Sequence, residues 1–170
     1  MKFNAHIQAI YIAPSTGAPM QIMNTVTVMA GTGIEGDRYA KGNGAYSKVV
    51  PIKVRHISLI ALSAIETANE WLMAGDEPIF NGAETRRNIL LAGITASELN
   101  GLVGQRFQLG NIELLGIELC DPCERPAQLL QRPSFMDAFD GRGGIRVEVL
   151  NSGILTMGDK LLFENDKSDD

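Results

Sequence analysis

Cysteine is scarce in this chain: two among 170 residues, Cys120 and Cys123. A pair that close in sequence cannot staple a fold of this size, so no disulfide framework is expected and nothing points to an oxidising compartment. Long apolar runs are also missing. No segment approaches the roughly 20 apolar residues that span a bilayer, so a membrane partner is not expected. Residues 3–11 alternate apolar and polar, whereas a secretory signal needs an unbroken apolar stretch of roughly seven or more. A basic excess is absent too. Fifteen Lys and Arg stand against twenty Asp and Glu, a net charge of -5. That balance argues against a general nucleic-acid binder, which carries a basic face. The expected location is cytoplasmic.

What the chain does have is punctuation. Eighteen glycines and seven prolines separate short elements, with no repeat or low-complexity block. The length suits one domain that buries roughly 70% of its unfolded surface, enough for a core without a structural metal. Glu164, Asp166, Asp169 and Asp170 mark residues 164–170 as a solvated acidic tail, leaving residues 1–163 as the domain. Period-two alternation predicts strands over residues 3–11, 52–60 and 144–149. Gly110-Asn111 predicts a hairpin turn between residues 107–109 and 112–114. Helices are few. Ser63 and Glu66 form a capping-box pattern ahead of the stripe Ile65, Ala68 and Leu72, and Gly75 supplies a stop, which predicts the longest helix over residues 63–74. Thr95 and Glu98 repeat the box, and a further turn or two is expected over residues 124–131. Many short strands and few helices indicate a mainly β fold, a barrel or sandwich decorated by short helices.

Leu119-Cys120-Asp121-Pro122-Cys123-Glu124-Arg125-Pro126 admits several chemistries. A structural zinc site needs about four ligands, and only His6 and His56 could complete one. A thioredoxin-like pair expects a strand-to-helix turn in a βαβ unit, which is missing. A single reactive thiolate fits Cys123, which follows Pro122 at the start of a predicted helical turn, near Arg125. Cys120, ending an apolar strand, reads as an inert core residue. Both cysteines being buried small hydrophobes remains open. Arg86-Arg87-Asn88 at the mouth of an apolar strand suits an anion clamp, because guanidinium forks bind phosphate bidentately; a solvated strand start is the bland alternative. Residues 31–36 mimic a dinucleotide fingerprint but lead into a loop rather than a long helix. Residues 39–51 form a glycine-rich loop of the kind that borders sites.

Five segments, in order, resemble the MOSC domain, the C-terminal module of molybdenum-cofactor sulfurases. They are Gly33-Ile34-Glu35-Gly36-Asp37-Arg38, Arg86-Arg87-Asn88-Ile89 with Gly93, residues 102–110, Pro122-Cys123, and residues 144–150 with Gly153 and Gly158-Asp159. The resemblance implies an irregular β-barrel with a few short helices. It implies that Cys123 ligates molybdenum or carries sulfur. Arg86, Arg87, Asn88, Asp37 and Arg38 would bind the molybdenum cofactor, molybdopterin, at its pterin or phosphate. Some relatives reduce N-hydroxylated compounds, so a molybdenum-dependent oxidoreductase is one expectation and a sulfurtransferase-like carrier of a persulfide is the other. A non-catalytic binding module is the third. In full-length sulfurases a pyridoxal-phosphate domain precedes this module; here pyridoxal phosphate is expected only in a separate partner, such as a cysteine desulfurase-like sulfur donor. A redox partner is a further expectation. Where many relatives place histidines after the GDR element, this chain has Tyr39-Ala40-Lys41.

Overall fold

In the computed structural model, residues 4–122 and 124–163 are described, the side chains of Glu124 and Arg125 excepted. Cys123 and residues 164–170, read above as working thiol and tail, lie outside the described residues. The chain runs β1 (His6–Ile12), β2 (Gln21–Met23), β3 (Thr25–Met29), β4 (Gly33–Ile34), β5 (Ile57–Ala61), α1 (Leu62–Ala74), a 3-10 turn over Ala83–Thr85 and β6 (Ile89–Ala92). It continues through α2 (Ala96–Asn100), β7 (Arg106–Leu109), β8 (Ile112–Leu119), α3 (Glu124–Leu130), α4 (Phe135–Ala138), β9 (Ile145–Val149), β10 (Gly153–Thr156) and β11 (Leu161–Leu162). The fold is mainly β, as expected.

Eight strands form one curled half-barrel sheet in the order β11-β7-β8-β9-β5-β6-β1-β2, and β10-β3-β4 form a small second sheet. The curl brings the sheet's ends together. Ile7 donates its backbone N–H to Asp159, Gly158 donates to Ile7, and Leu161 donates to Ala5, so β1 lies against the lead-in to β11. Alternation explains the strands: Ile145, Val147 and Val149 are buried on β9 while Arg146 and Glu148 face the other way. The β7–β8 hairpin pairs Leu109 with Ile112 across Gly110, whose φ of 56° favours glycine at that turn.

The central strand β5 is buried almost throughout and pairs in parallel with β6, an arrangement that requires a crossover. Helix α1 is that crossover and the longest helix. It buries Ala64, Ile65, Ala68 and Leu72 at helical spacing. Burying Ile65 and Leu72 stabilises the fold by about 1.5–3 kcal/mol each. Beyond it, Phe80, Phe135 and Phe139 cluster, with Phe80 edge-on to Phe135 at 5.4 Å between centroids.

Two local expectations need correction. The strand predicted over residues 52–60 begins at Ile57, because Ile52 and Lys53 are exposed and only the later part pairs with β6 and β9. The Ser63–Glu66 capping box does not form: the cap residue is Ala61, and the Ser63 hydroxyl instead donates to the Ile94 carbonyl, tying the helix start to the end of β6. Gly75 caps the end of α1, as expected, and Asp76 after it takes the left-handed conformation, at φ 58°. The Thr95–Glu98 box is made reciprocally at α2, as expected.

Candidate functional site

Where β5 and β6 begin side by side, residues 86–88 and Ser58 open a cleft. Asn88 bolts the floor together. Its Oδ1 accepts from the Ser58 backbone and hydroxyl at 3.1 and 3.2 Å, and its Nδ2 donates to the Tyr11 carbonyl at 3.1 Å. One buried amide thus joins β1, β5 and the start of β6. Arg87 is also buried. Its Nε donates to the Gly143 carbonyl at 2.7 Å, one terminal nitrogen to Cys120 at 3.2 Å and the other to Thr85 at 3.4 Å. Three carbonyls converging on one guanidinium satisfy groups that burial would otherwise strand. The convergence depends on Gly143, where an added Cβ would sit 2.2 Å from the Cys120 carbonyl oxygen.

The GDR element braces the next wall. Asp37 is fully buried, accepting from the Ala13 N–H and from Arg38 at 3.1 Å each. Arg38 reaches on to the Arg86 carbonyl at 3.4 Å and lies over the Tyr39 ring. Its side chain links residues 37 and 86 through charge-assisted bonds, and the Asp37 carboxylate extends the link to Ala13.

The rim is built from other residues. Arg86 adopts a left-handed backbone, φ 59°, and its side chain donates to the Ala18 carbonyl at 2.9 Å. Arg55 stacks on the Tyr46 ring and donates to the Tyr46 carbonyl, while its buried Nε has no protein partner. Arg146 pairs with Glu118 at 2.7 Å. Burial works against the charge of Arg146, but the Cys120 sulfur and the Glu118 carboxylate outweigh it and raise its pKa. Burial likewise opposes the Glu118 charge, and Arg146 and Lys53 overcome it to hold that carboxyl below its usual range. Cys120, 2% exposed, lines the same cleft, as do Asp121 and Pro126. The cleft has a volume of about 80 Å³.

Arg38, Arg86, Arg87 and Asn88 therefore meet around one cleft, with Asp37 behind it; the position of Cys123 lies outside the described residues. Sequence reasoning missed Arg55, Tyr46, Ser58 and Arg146. A signal existed for Arg146, which occupies the face of residues 144–149 opposite the apolar one. None existed for Arg55, which sat inside a stretch read as strand. Among the described residues, no group of three or more His, Cys, Asp or Glu is placed to hold a metal ion.

The family model of the MOSC domain matches residues 52–162 of the chain. The chain belongs to the MOSC domain family. That family is associated with molybdenum-cofactor binding. Solved structures similar to this MOSC domain include the YuaD protein from Bacillus subtilis, with TM-score 0.76 and 21% identity over 94% of this chain and 97% of that one. YiiM from Geobacillus stearothermophilus has TM-score 0.67 and 15% identity, over 97% of this chain and 77% of that one. YiiM from Escherichia coli has TM-score 0.64 and 17% identity, over 99% and 72%. At these identities the likeness concerns the fold. No curated protein matches the MOSC chain in sequence. No helix among its described residues is long and apolar enough to cross a membrane.

Proposed function

We propose that the arginine-lined cleft binds the molybdenum cofactor, with Arg86 and Arg55 gripping its phosphate and Cys123 supplying a thiolate to the metal. The supporting observation is the charge of the cleft. Arg38, Arg55, Arg86, Arg87 and Arg146 meet there, against Asp37, Glu118 and Asp121 among the described carboxylates. An excess of arginine suits a phosphate monoester, which carries about -1.5 to -2 at pH 7. The Arg55 Nε, buried without a protein partner, is a donor in want of an acceptor. A volume of about 80 Å³ admits a phosphate-sized group. In this reading Asp37, Arg38, Arg87 and Asn88 position the walls: most of their bonding capacity is committed to backbone groups, so they hold the rim arginines in place.

Bound, the cofactor would supply two-electron chemistry at its metal, of the kind that reduces N-hydroxylated compounds. Such a role calls for a redox partner, and pyridoxal phosphate would enter only through a separate sulfur-donor protein. The alternative, a persulfide carrier, gives the arginine cluster nothing to do. The test is Arg86→Ala, purified from a host that makes the cofactor, with melting temperature and bound molybdopterin measured on one preparation. A charge-assisted bond contributes about 1.5–3 kcal/mol, so retention should fall about ten- to a hundredfold while melting changes little. Full molybdopterin occupancy in the variant would sink the assignment. Wild-type protein carrying persulfide sulfur but no pterin would favour the carrier.

A further inference from the structure

The charges of this acidic chain are not evenly spread. Residues 38–65 contain Arg38, Lys41, Lys48, Lys53 and Arg55 and no Asp or Glu. Residues 57–85 contain Glu66, Glu70, Asp76, Glu77 and Glu84 and no Lys, Arg or His. Each charged segment also exposes large apolar side chains. In the first, every residue from 48 to 53 is exposed, with Val49 at 48%, Val50 at 84% and Ile52 at 68%. In the second, residues 73–79 are all exposed, and Trp71, Met73 and Ile79 stand between 47% and 61%. Scattered exposed apolar residues are ordinary, but two clusters beside charges of opposite sign are not.

We infer that these two surfaces recognise each other between copies of this chain, so that the cationic loop at residues 48–53 of one molecule docks on the anionic end of α1 in a second. The argument is complementarity in both charge and apolar character. An aliphatic tip flanked by Lys48 and Lys53 meets an aromatic and thioether surface flanked by Glu70, Asp76 and Glu77. Trp71 has the size and amphipathic character of an interface anchor. The nearby cation, Arg132, does not cancel the acidic surface: it lies over the Phe80 ring, donates to the Pro78 and Ile79 carbonyls and pairs with Glu84 at 4.0 Å. Lys53 touches Glu118 at 3.5 Å across an exposed pair, a contact that a partner's carboxylates can share. Each copy carries both halves, and the pairing inferred is the two-fold dimer in which both contacts are made at once, the commonest symmetric solution. The inference stands independently of the cofactor reading. It has one consequence for that reading: Ala45, Tyr46 and Arg55, on the same loop, line the cleft, so the docked copy stands beside its mouth.

The test is a matched charge reversal followed by sedimentation velocity at protein concentrations from about 1 to 200 µM. Wild type should shift with concentration from 18.4 kDa toward twice that mass, and raising salt should push it back. Lys48→Glu/Lys53→Glu and Glu70→Lys/Glu77→Lys, each alone, should weaken self-association at least about tenfold, with unchanged melting temperatures confirming the fold. Mixed one to one, the two variants should associate again. A wild type that stays monomeric throughout overturns the inference. So do variants that fail to complement on mixing. A monomer whose loop variant loses binding to phosphatidylserine vesicles would also overturn it, and would assign the loop to a lipid surface instead.

Discussion

The floor and the rim of the cleft use the same residue type in opposite ways. On the floor, Arg87 is enclosed and commits its guanidinium to three backbone carbonyls, and Asn88 spends both ends of its amide on neighbouring strands. On the rim, Arg86 makes one bond to Ala18 along with other interactions, and Arg55 keeps a buried N–H with no protein partner. A guanidinium saturated by the fold holds the fold; a buried N–H without a protein partner, such as Arg55 Nε, is available to a ligand. Arg55 and Arg87 thus do different work, and the difference can be measured.

The largest effect should come from Arg87→Ala. Three buried carbonyls would lose their donor at about 1–3 kcal/mol each, so unfolding should require at least about 3 kcal/mol less free energy. For a domain of this size that lowers the melting temperature by about 6–12 °C. Arg87→Lys should not restore it, since an ammonium cannot span three divergent acceptors. Urea denaturation reads the loss, and a variant as stable as wild type would erase the distinction between floor and rim. Asn88→Ala comes next. It strands the Ser58 N–H and the Tyr11 carbonyl, for about 2 kcal/mol, and should lower melting where Arg86→Ala does not. Equal melting temperatures for those two variants would break the comparison.

The smallest effect concerns His56, which accepts the Val149 N–H at Nδ1 from 3.0 Å and pins the segment carrying Arg55 to the end of β9. Burial lowers its pKa and Glu148 pulls weakly the other way. The unfolded chain therefore takes up the proton first. Its contribution to stability is complete above the ordinary value of about 6.5 and is lost as pH falls through the depressed folded value. Melting temperature should decline between pH 7.5 and 5.5, and decline less in His56→Asn. An identical pH profile in the variant would detach His56 from that behaviour.

Much of the architecture was readable in advance because its causes are local. Alternation at residues 144–149, the Gly110-Asn111 turn and the Thr95–Glu98 box are each settled within a few residues. The small sheet was not, since β4 has two residues and acquires its conformation by pairing with β3 rather than from propensity. Ser63 misled for a similar reason: its hydroxyl preferred a carbonyl 31 residues away to its own helix end. At the site, the sequence pointed to residues 86–88 and to Asp37-Arg38. It gave no means of telling which arginine is consumed by the framework, because that depends on Gly143 and the Cys120 carbonyl, far along the chain. The aromatic support of Arg55 by Tyr46 was hidden in a loop without a period.

The hydrogen bonds that draw β1 against the lead-in to β11 join residues 5 and 7 to residues 158, 159 and 161. During synthesis, the first strand to leave the ribosome must therefore wait for nearly the last segment before that flank is covered. At about 5–20 residues per second the wait is on the order of ten seconds. For that time the nascent chain presents an open edge at Ala5 and Ile7, the kind of template to which other chains add. The same long-range closure places this domain among slow folders, where contacts distant in sequence must form before the barrel is complete. Its yield in a cell should respond to chaperone supply and growth temperature more than its final stability would suggest.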